Sequence, residues 1–248
     1  MEFPDYNDIL DEQPRFDRLA KPFQANLPYH NEAHGHEASQ STVDQVVKCR
    51  ENGVDINLWP LYFGMRGHDL GIDMDPQTMG FDEPEDYSAY LTGQVLKELQ
   101  LADETIEQAQ EIILITNPQQ EPVTLVHKIA RRADVINIGG EFAPFVVKSG
   151  LLWQEHRQLS QDNKSYGEWA SGACKFLTDQ ILAPDLALGD FDRDDSGQSF
   201  FQRRARQNVA RLGGLLSKIS DVFESVPEPT EGLPYPDFAA LLDQQGIR

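Results

Sequence analysis

The chain has 248 residues, with 21 Lys and Arg against 41 Asp and Glu, a net charge of −20, and 40% hydrophobic residues. That length can bury a substantial core as one domain, or one with appended elements, while the charge repels nucleic acid and anionic lipid over the molecule as a whole. A polymeric nucleic-acid substrate is disfavoured; a small phosphorylated molecule, drawn in locally, is easier to accept.

Residues 1–25 are acidic and carry Pro4, Pro14 and Pro22, the pattern of an irregular, loosely docked arm. After Pro28 the spacing predicts a helix from about Asn31 to Glu51, with Ala38, Val43, Val46 and Val47 near one face and Gly53 as its stop. Asn57 can cap the next helix, with Pro60 in its first turn; it carries Leu61, Tyr62 and Met65 and ends near His68 and Asp69. Gly71, Pro76 and Gly80 mark a loop from Leu70 to Asp82. Pro84 opens another helix, through Leu91, Val95, Leu96 and Leu99, and Asp103 caps a fourth, where Ile106, Ala109, Ile112 and Ile113 repeat at helical spacing. Pro118 and Pro122 bracket the following turn. Val123, Val126, Ile129, Ala130 and Ala133 mark a fifth helix that stops at Gly139-Gly140.

The C-terminal part is also helical in pattern. Trp169, Cys174 and Phe176 share one candidate segment, and Phe201, Ala205, Val209, Leu212, Leu216, Ile219 and Phe223 hold an amphipathic period from about Ser196 to Glu224. Four prolines follow Val226, which suggests a wrapped or mobile strap. No stretch alternates long enough to demand a sheet. The expectation is an all-α helical bundle: an irregular arm over 1–26, a helical core over 27–150, a helical extension over 151–226 packed on it, and a tail over 227–248. Cys49 and Cys174 lack zinc-ribbon or redox spacing and read as apolar fillers. The opening Met1-Glu2-Phe3-Pro4-Asp5 lacks the regions of a signal peptide, and no apolar run approaches a membrane span. A cytoplasmic protein without membrane contact is expected.

Three stretches on separate predicted helices carry ligand-type residues: Tyr29-His30-Asn31-Glu32-Ala33-His34, Gly67-His68-Asp69, and Arg132-Ala133-Asp134-Val135. Imidazole nitrogens and carboxylate oxygens are the usual ligands of a divalent, hydrolysis-competent ion. His30 and His34, four apart, are expected on one helix face about a turn apart. His68 and Asp69 adjoin at a helix end, where the chain can turn and both side chains converge. Asp134 adds a hard oxygen ligand. A lone histidine is more often an ordinary surface or core residue, but the ordered set outweighs that reading.

This set resembles the HD-domain superfamily of metal-dependent phosphohydrolases, named for its His-Asp pair. The Tyr29–His34 stretch followed by Gln40-Ser41-Thr42 resembles the opening of cyclic-nucleotide phosphodiesterases, and Arg132–Asn137 their Ala-Asp segment. Small bacterial phosphohydrolases with a Tyr-His-Asn start are similar too, down to the acidic Glu85-Asp86-Tyr87-Ser88-Ala89. The likeness covers about residues 27–140. It implies His34, His68, Asp69 and Asp134 as ligands of Mn, Co, Fe, Zn, Ni or Mg, and His30 as the acid that protonates the leaving group. The chain departs from the family in lacking a His-Pro after Asp69, a lysine at Ile72, and any histidine between His68 and His127. One tight ion is therefore expected.

The expected function is hydrolysis of a small, nucleotide-like phosphate ester, as a monoesterase or diesterase, by hydroxide generated at the metal. Asp69 would orient the water and His30 donate a proton. Arg66 is the first candidate for a phosphate oxygen, with Lys128, Arg131 and Arg132 as alternatives. His127 reads as a plain buried histidine, His36 as exposed, and Glu85 and Asp86 as an acidic first helical turn. The acidic run Asp190–Gly197 lacks the glycine and glutamate of a calcium loop. The basic run Gln202–Arg206 with Arg211 is expected to pair with the chain's acids. The rivals are a non-catalytic HD-fold interaction module with a structural metal, and an HD-fold di-iron oxygenase. The long amphipathic helix leaves a homodimer open.

Overall fold

The protein is all-α. The computed structural model describes residues 4–160, 162–225 and 238–247, and these contain ten α-helices and no strand. They divide into two units, one holding the residues up to 136 together with 188–192, the other 137–187 and the residues from 193 onward. The division falls earlier than the expected boundary at 150, and the short 188–192 segment returns to the first unit.

The first unit holds α1 (Pro4–Ala20), α2 (Glu32–Glu51), α3 (Leu58–Gly67), α4 (Pro84–Glu98), α5 (Asp103–Leu114) and α6 (Leu125–Asp134). The expected irregular arm is instead α1 and a short 3-10 turn, Lys21–Phe23. Ile9, Phe16 and Ala20 recur at helical spacing and are fully buried, with the Phe16 ring 5.2 Å from Phe63. Burying Ile9 and Phe16 contributes about 1.5–3 kcal/mol each, which helps to order a helix around the internal Pro14. Polar contacts add to it: Tyr62 donates to Gln13 at 2.7 Å, and Arg50 holds both oxygens of Asp5 at 3.1 and 2.6 Å.

The next helices follow the sequence closely. Asn31 caps α2, accepting from the amides of Ala33 and His34, and Asn57 caps α3, accepting from Trp59. Gly53, with φ of +80°, follows the end of α2 where a left-handed residue is needed. Pro84 opens α4. The fifth predicted helix ends earlier than expected: α6 stops at Asp134, and a 3-10 turn, Ile136–Gly139, replaces its last turn.

The second unit holds α7 (Phe142–Leu159), α8 (Tyr166–Phe176), α9 (Phe200–Glu224) and α10 (Phe238–Gln244). Helix α8 starts with a Ser165/Glu168 capping box and runs into a π turn, Leu177–Ile181. Tyr166 is fully buried; its hydroxyl lies 2.6 Å from that of Ser149, and its ring packs edge-on against Phe223 at 4.5 Å. Helix α7 has no counterpart in the sequence reading. Its apolar residues do not keep to one stripe, so periodicity gives no signal. The proline-rich strap expected after Val226 lies, from 226 to 237, outside the described residues. No helix is long and apolar enough to cross a membrane, among the described residues. Both cysteines are free.

Candidate metal centre

The first unit brings His34, His68, Asp69 and Asp134 together. His34 sits in the first turn of α2, held there by the Asn31 cap, whose amide in turn donates to the carbonyls of Leu27 and Pro28 at 3.0 and 3.3 Å. Gly35 follows, and a Cβ there would lie 2.8 Å from the Arg66 carbonyl oxygen. Only glycine allows α2 and α3 so close an approach, and that approach carries His34 to the end of α3, where its ring lies 5.0 Å from that of His68.

His68 is the C-cap of α3. Its Nδ1 lies 2.8 Å from the Met65 carbonyl, to which it donates, so Nε2 faces the carboxylates. That atom is 3.0 Å from Asp69 Oδ2 and 3.3 Å from Asp134 Oδ1. His34 Nε2 reaches the same two oxygens at 3.4 and 3.6 Å. The turn after Asp69 is anchored by Ser88, which donates to the Leu70 carbonyl at 2.9 Å, and by the Gly71 amide, which donates to Phe23 at 2.8 Å.

Electrostatics follow from burial and the short distances. Burial opposes charge on His68, but Asp69 and then Asp134 outweigh it and push its pKa well above the ordinary imidazole value. Burial likewise opposes ionisation of Asp69, yet His68 and then His30 hold it down to about 2. Asp134 is drawn down against burial by His34 and His68.

These residues fit a divalent cation. His34, His68 and Asp134 each offer a ligand atom within 4.8 Å of the others. Both ring nitrogens of His34 and Oδ2 of Asp69 are buried without a hydrogen bond. A buried polar atom left so costs about 1–3 kcal/mol; a cation would take one nitrogen of His34 and the Asp69 oxygen, which otherwise faces the His68 ring at 3.0 Å. Two nitrogens and two oxygens suit Zn, Mn, Fe, Co or Ni. The side chains of Asp69 and Asp134 keep 20% and 24% of their surface open, which gives solvent a way in.

His30 stands differently from the expectation. It precedes the Asn31 cap, so it and His34 do not share a helix face. The two rings nevertheless lie 5.6 Å apart and nearly perpendicular. His30, His34 and Asp69 form a second donor triad overlapping the first, where one tight site is expected from the sequence.

The expected phosphate contacts are differently placed. Arg66 is buried and committed: Nε donates to Asp17 at 2.8 Å and Nη1 to the Glu32 carbonyl at 3.1 Å. Arg132 pairs with Asp192 at 2.5 Å. Arg131 is fully buried and donates to the carbonyls of Ile115, Asn117 and Gln120. Lys128 is half-buried on α6, six residues before Asp134, so about 240° round the helix from it. His127 pairs with Glu111 at 2.9 Å, and His36 is exposed. Burial pushes the Glu85 carboxyl up, with the charges of Glu83 and Asp134 adding to it, while the Asn117 amide donates to it at 3.3 Å. Asp17 and Asp192, partners of two basic residues, carry no local signal in the sequence.

Compared with known proteins, the chain matches no family model, no curated protein and no solved structure.

Proposed function

We propose that this chain is a metal-dependent phosphohydrolase of the HD type, acting on a small phosphate ester such as a nucleotide. The observation that supports this reading best is the convergence of His34, His68, Asp69 and Asp134, with buried ligand atoms left without hydrogen bonds. A divalent cation on these donors would acidify water and neutralise phosphoryl charge.

The chain's own residues supply the rest. A niche lined by His30, Asn31, Arg66 and Asp69 holds about 20 Å³, room for one water. Asp69 can orient that water through its carboxylate. His30, outside the helix and half-buried, is the nearest group able to exchange a proton with substrate. Arg66, fixed by Asp17, shapes the niche wall instead of reaching freely for phosphate. The net charge of −20 favours small substrates over nucleic acid.

The overlapping triad favours a second reading of one residue: His30 as a ligand, of the same ion or a neighbouring one. The test is a panel of phosphomonoesters and cyclic nucleotides assayed with Mn, Co and Mg, with Asp69→Ala as the control. Turnover that requires metal and vanishes in Asp69→Ala supports the proposal. A folded, metal-loaded protein that hydrolyses nothing on the panel overturns it in favour of an interaction module.

A further inference from the structure

The basic run of the sequence folds into a feature that the metal centre does not use. In the second unit, Phe200, Arg203, Arg204, Gln207, Asn208 and Arg211 recur at intervals of three and four, so they share one face of α9. That face and the start of α7 enclose a cleft of about 570 Å³. Its walls carry three guanidinium groups and the carboxylate of Glu141, with Asp194 beside Arg203, in a chain whose net charge is −20. Locally the cations outnumber the carboxylates by one.

The cleft is built rigidly. Asn208 is buried, and its amide donates to the carbonyls of Ile138 and Gly140 at 2.9 and 3.0 Å. Arg204 Nε donates to the same Gly140 oxygen at 3.1 Å. Gly139 lies flat on Phe201, where a Cβ would meet the ring at 2.3 Å. The turn before α7 is thus fastened to α9, which fixes the floor of the cleft.

The arginines are oriented by aromatic faces. The Arg211 guanidinium lies 4.0 Å from the Phe142 ring centroid, and that of Arg203 lies 5.4 Å from Phe200. A guanidinium over a ring is restrained by it while keeping N–H donors for an anion. Arg203 also pairs with Asp194 and Arg204 with Glu141, but both arginines are about half exposed, so these pairs are weak and a doubly charged anion can displace them. Phe200, with Arg203 over its ring, is still 42% exposed beside the charges. The volume exceeds what inorganic phosphate fills and lies within the range of small-ligand sites.

We propose that this cleft is a second ligand site, for a phosphate ester bearing a planar ring, of about nucleotide size. The arginines would hold the phosphate and Phe200 the ring. The proposal stands whether or not the metal centre hydrolyses phosphate esters.

The probe is adenosine monophosphate, titrated calorimetrically into the full chain under chelation, with adenosine and inorganic phosphate as separate arms. We expect saturable binding of the nucleotide and at least about tenfold weaker binding of adenosine and of inorganic phosphate. Arg203→Gln and Arg211→Gln should each weaken the nucleotide about tenfold or more, while Lys218→Gln, exposed further along α9, leaves it unchanged. Circular dichroism checks folding, and Arg203 is exposed enough for its variant to fold whatever Arg211→Gln does. Phe200→Ala should weaken the nucleotide and spare inorganic phosphate. The proposal is overturned by absence of binding, by folded arginine variants that bind like the wild type, or by inorganic phosphate binding as tightly as the nucleotide.

Discussion

His34 Nε2 lies 3.4 Å from Asp69 Oδ2, and neither atom makes a hydrogen bond. Two buried atoms so placed can both serve one cation. A bound cation therefore couples directly to stability. Saturating a site at about 1,000 times its Kd adds about 4 kcal/mol, which for a chain of this size raises Tm by on the order of 10 °C. Manganese, cobalt or zinc should produce such a rise and a chelator should reverse it. His34→Ala and His68→Ala should remove both the bound metal, measured by elemental analysis, and the thermal shift. A chelator-independent Tm in metal-analysed wild type would sink the assignment.

His30 separates two roles that the sequence could not. If it moves a proton, His30→Ala keeps its metal and loses about 10²- to 10⁴-fold in kcat. The loss should be greatest for substrates with poor leaving groups and small for nitrophenyl esters. If it is a ligand, the same variant drops metal content in parallel with activity. Elemental analysis beside a leaving-group series decides between the two, and equal loss across the whole series with reduced metal ends the proton-transfer role.

Helices α2 to α6 and the donor set were legible because their signals are local. Asn31, Asn57 and Pro84 mark helix starts within a residue, and His34, His68, Asp69 and Asp134 stand at helix ends where short motifs carry the information. What was not legible depends on distant partners. Arg66 reads as a free phosphate contact until Asp17, from α1, is seen holding its Nε. Helix α1 itself reads as irregular because Pro4, Pro14 and the following Pro22 outweigh a stripe made by Ile9, Phe16 and Ala20, whose burial comes from other helices. His30 is four residues from His34, yet the cap between them means that helical spacing does not apply.

Arg131 fastens the chain between α5 and α6. Its guanidinium is fully buried and donates to carbonyls of Ile115, Asn117 and Gln120, the first two of them in buried residues with little access to water. Asn117 in turn donates to Glu85, which links this loop to the start of α4. Arg131→Met takes the donor from these carbonyls and should cost on the order of 3 kcal/mol, at about 1–3 kcal/mol for each buried acceptor left unsatisfied. Arg131→Lys should recover only part of it, because one ammonium cannot span three carbonyls as a planar fork does. Urea unfolding with an unchanged m-value is the measurement. A stable Arg131→Met protein would mean that the loop holds itself.

Asp192 ties the returning 188–192 segment to the first unit and makes it acid-sensitive. Its carboxylate lies 2.7 Å from Lys48 Nζ and 2.5 Å from Arg132 Nη1, and it accepts the Leu188 amide at 3.2 Å. Burial works against its charge, but Lys48 and Arg132 prevail and hold its pKa below the ordinary carboxylate value. A depressed folded pKa gives stability that is complete above the unfolded pKa, about 3.9, and is lost as pH falls through the folded pKa. Asp192→Asn leaves two cations without their partner and should cost about 3 kcal/mol at pH 7. That deficit should hold down to about pH 4 and then narrow, because below it the wild type loses the same interaction by protonation. Comparing the two proteins by chemical denaturation in chelator, from neutral pH to about pH 3, cancels the acid sensitivity of the metal ligands, which both share. A deficit as large at the acid end as at pH 7 would show that Asp192 acts through its shape and amide contact, with its charge playing no part.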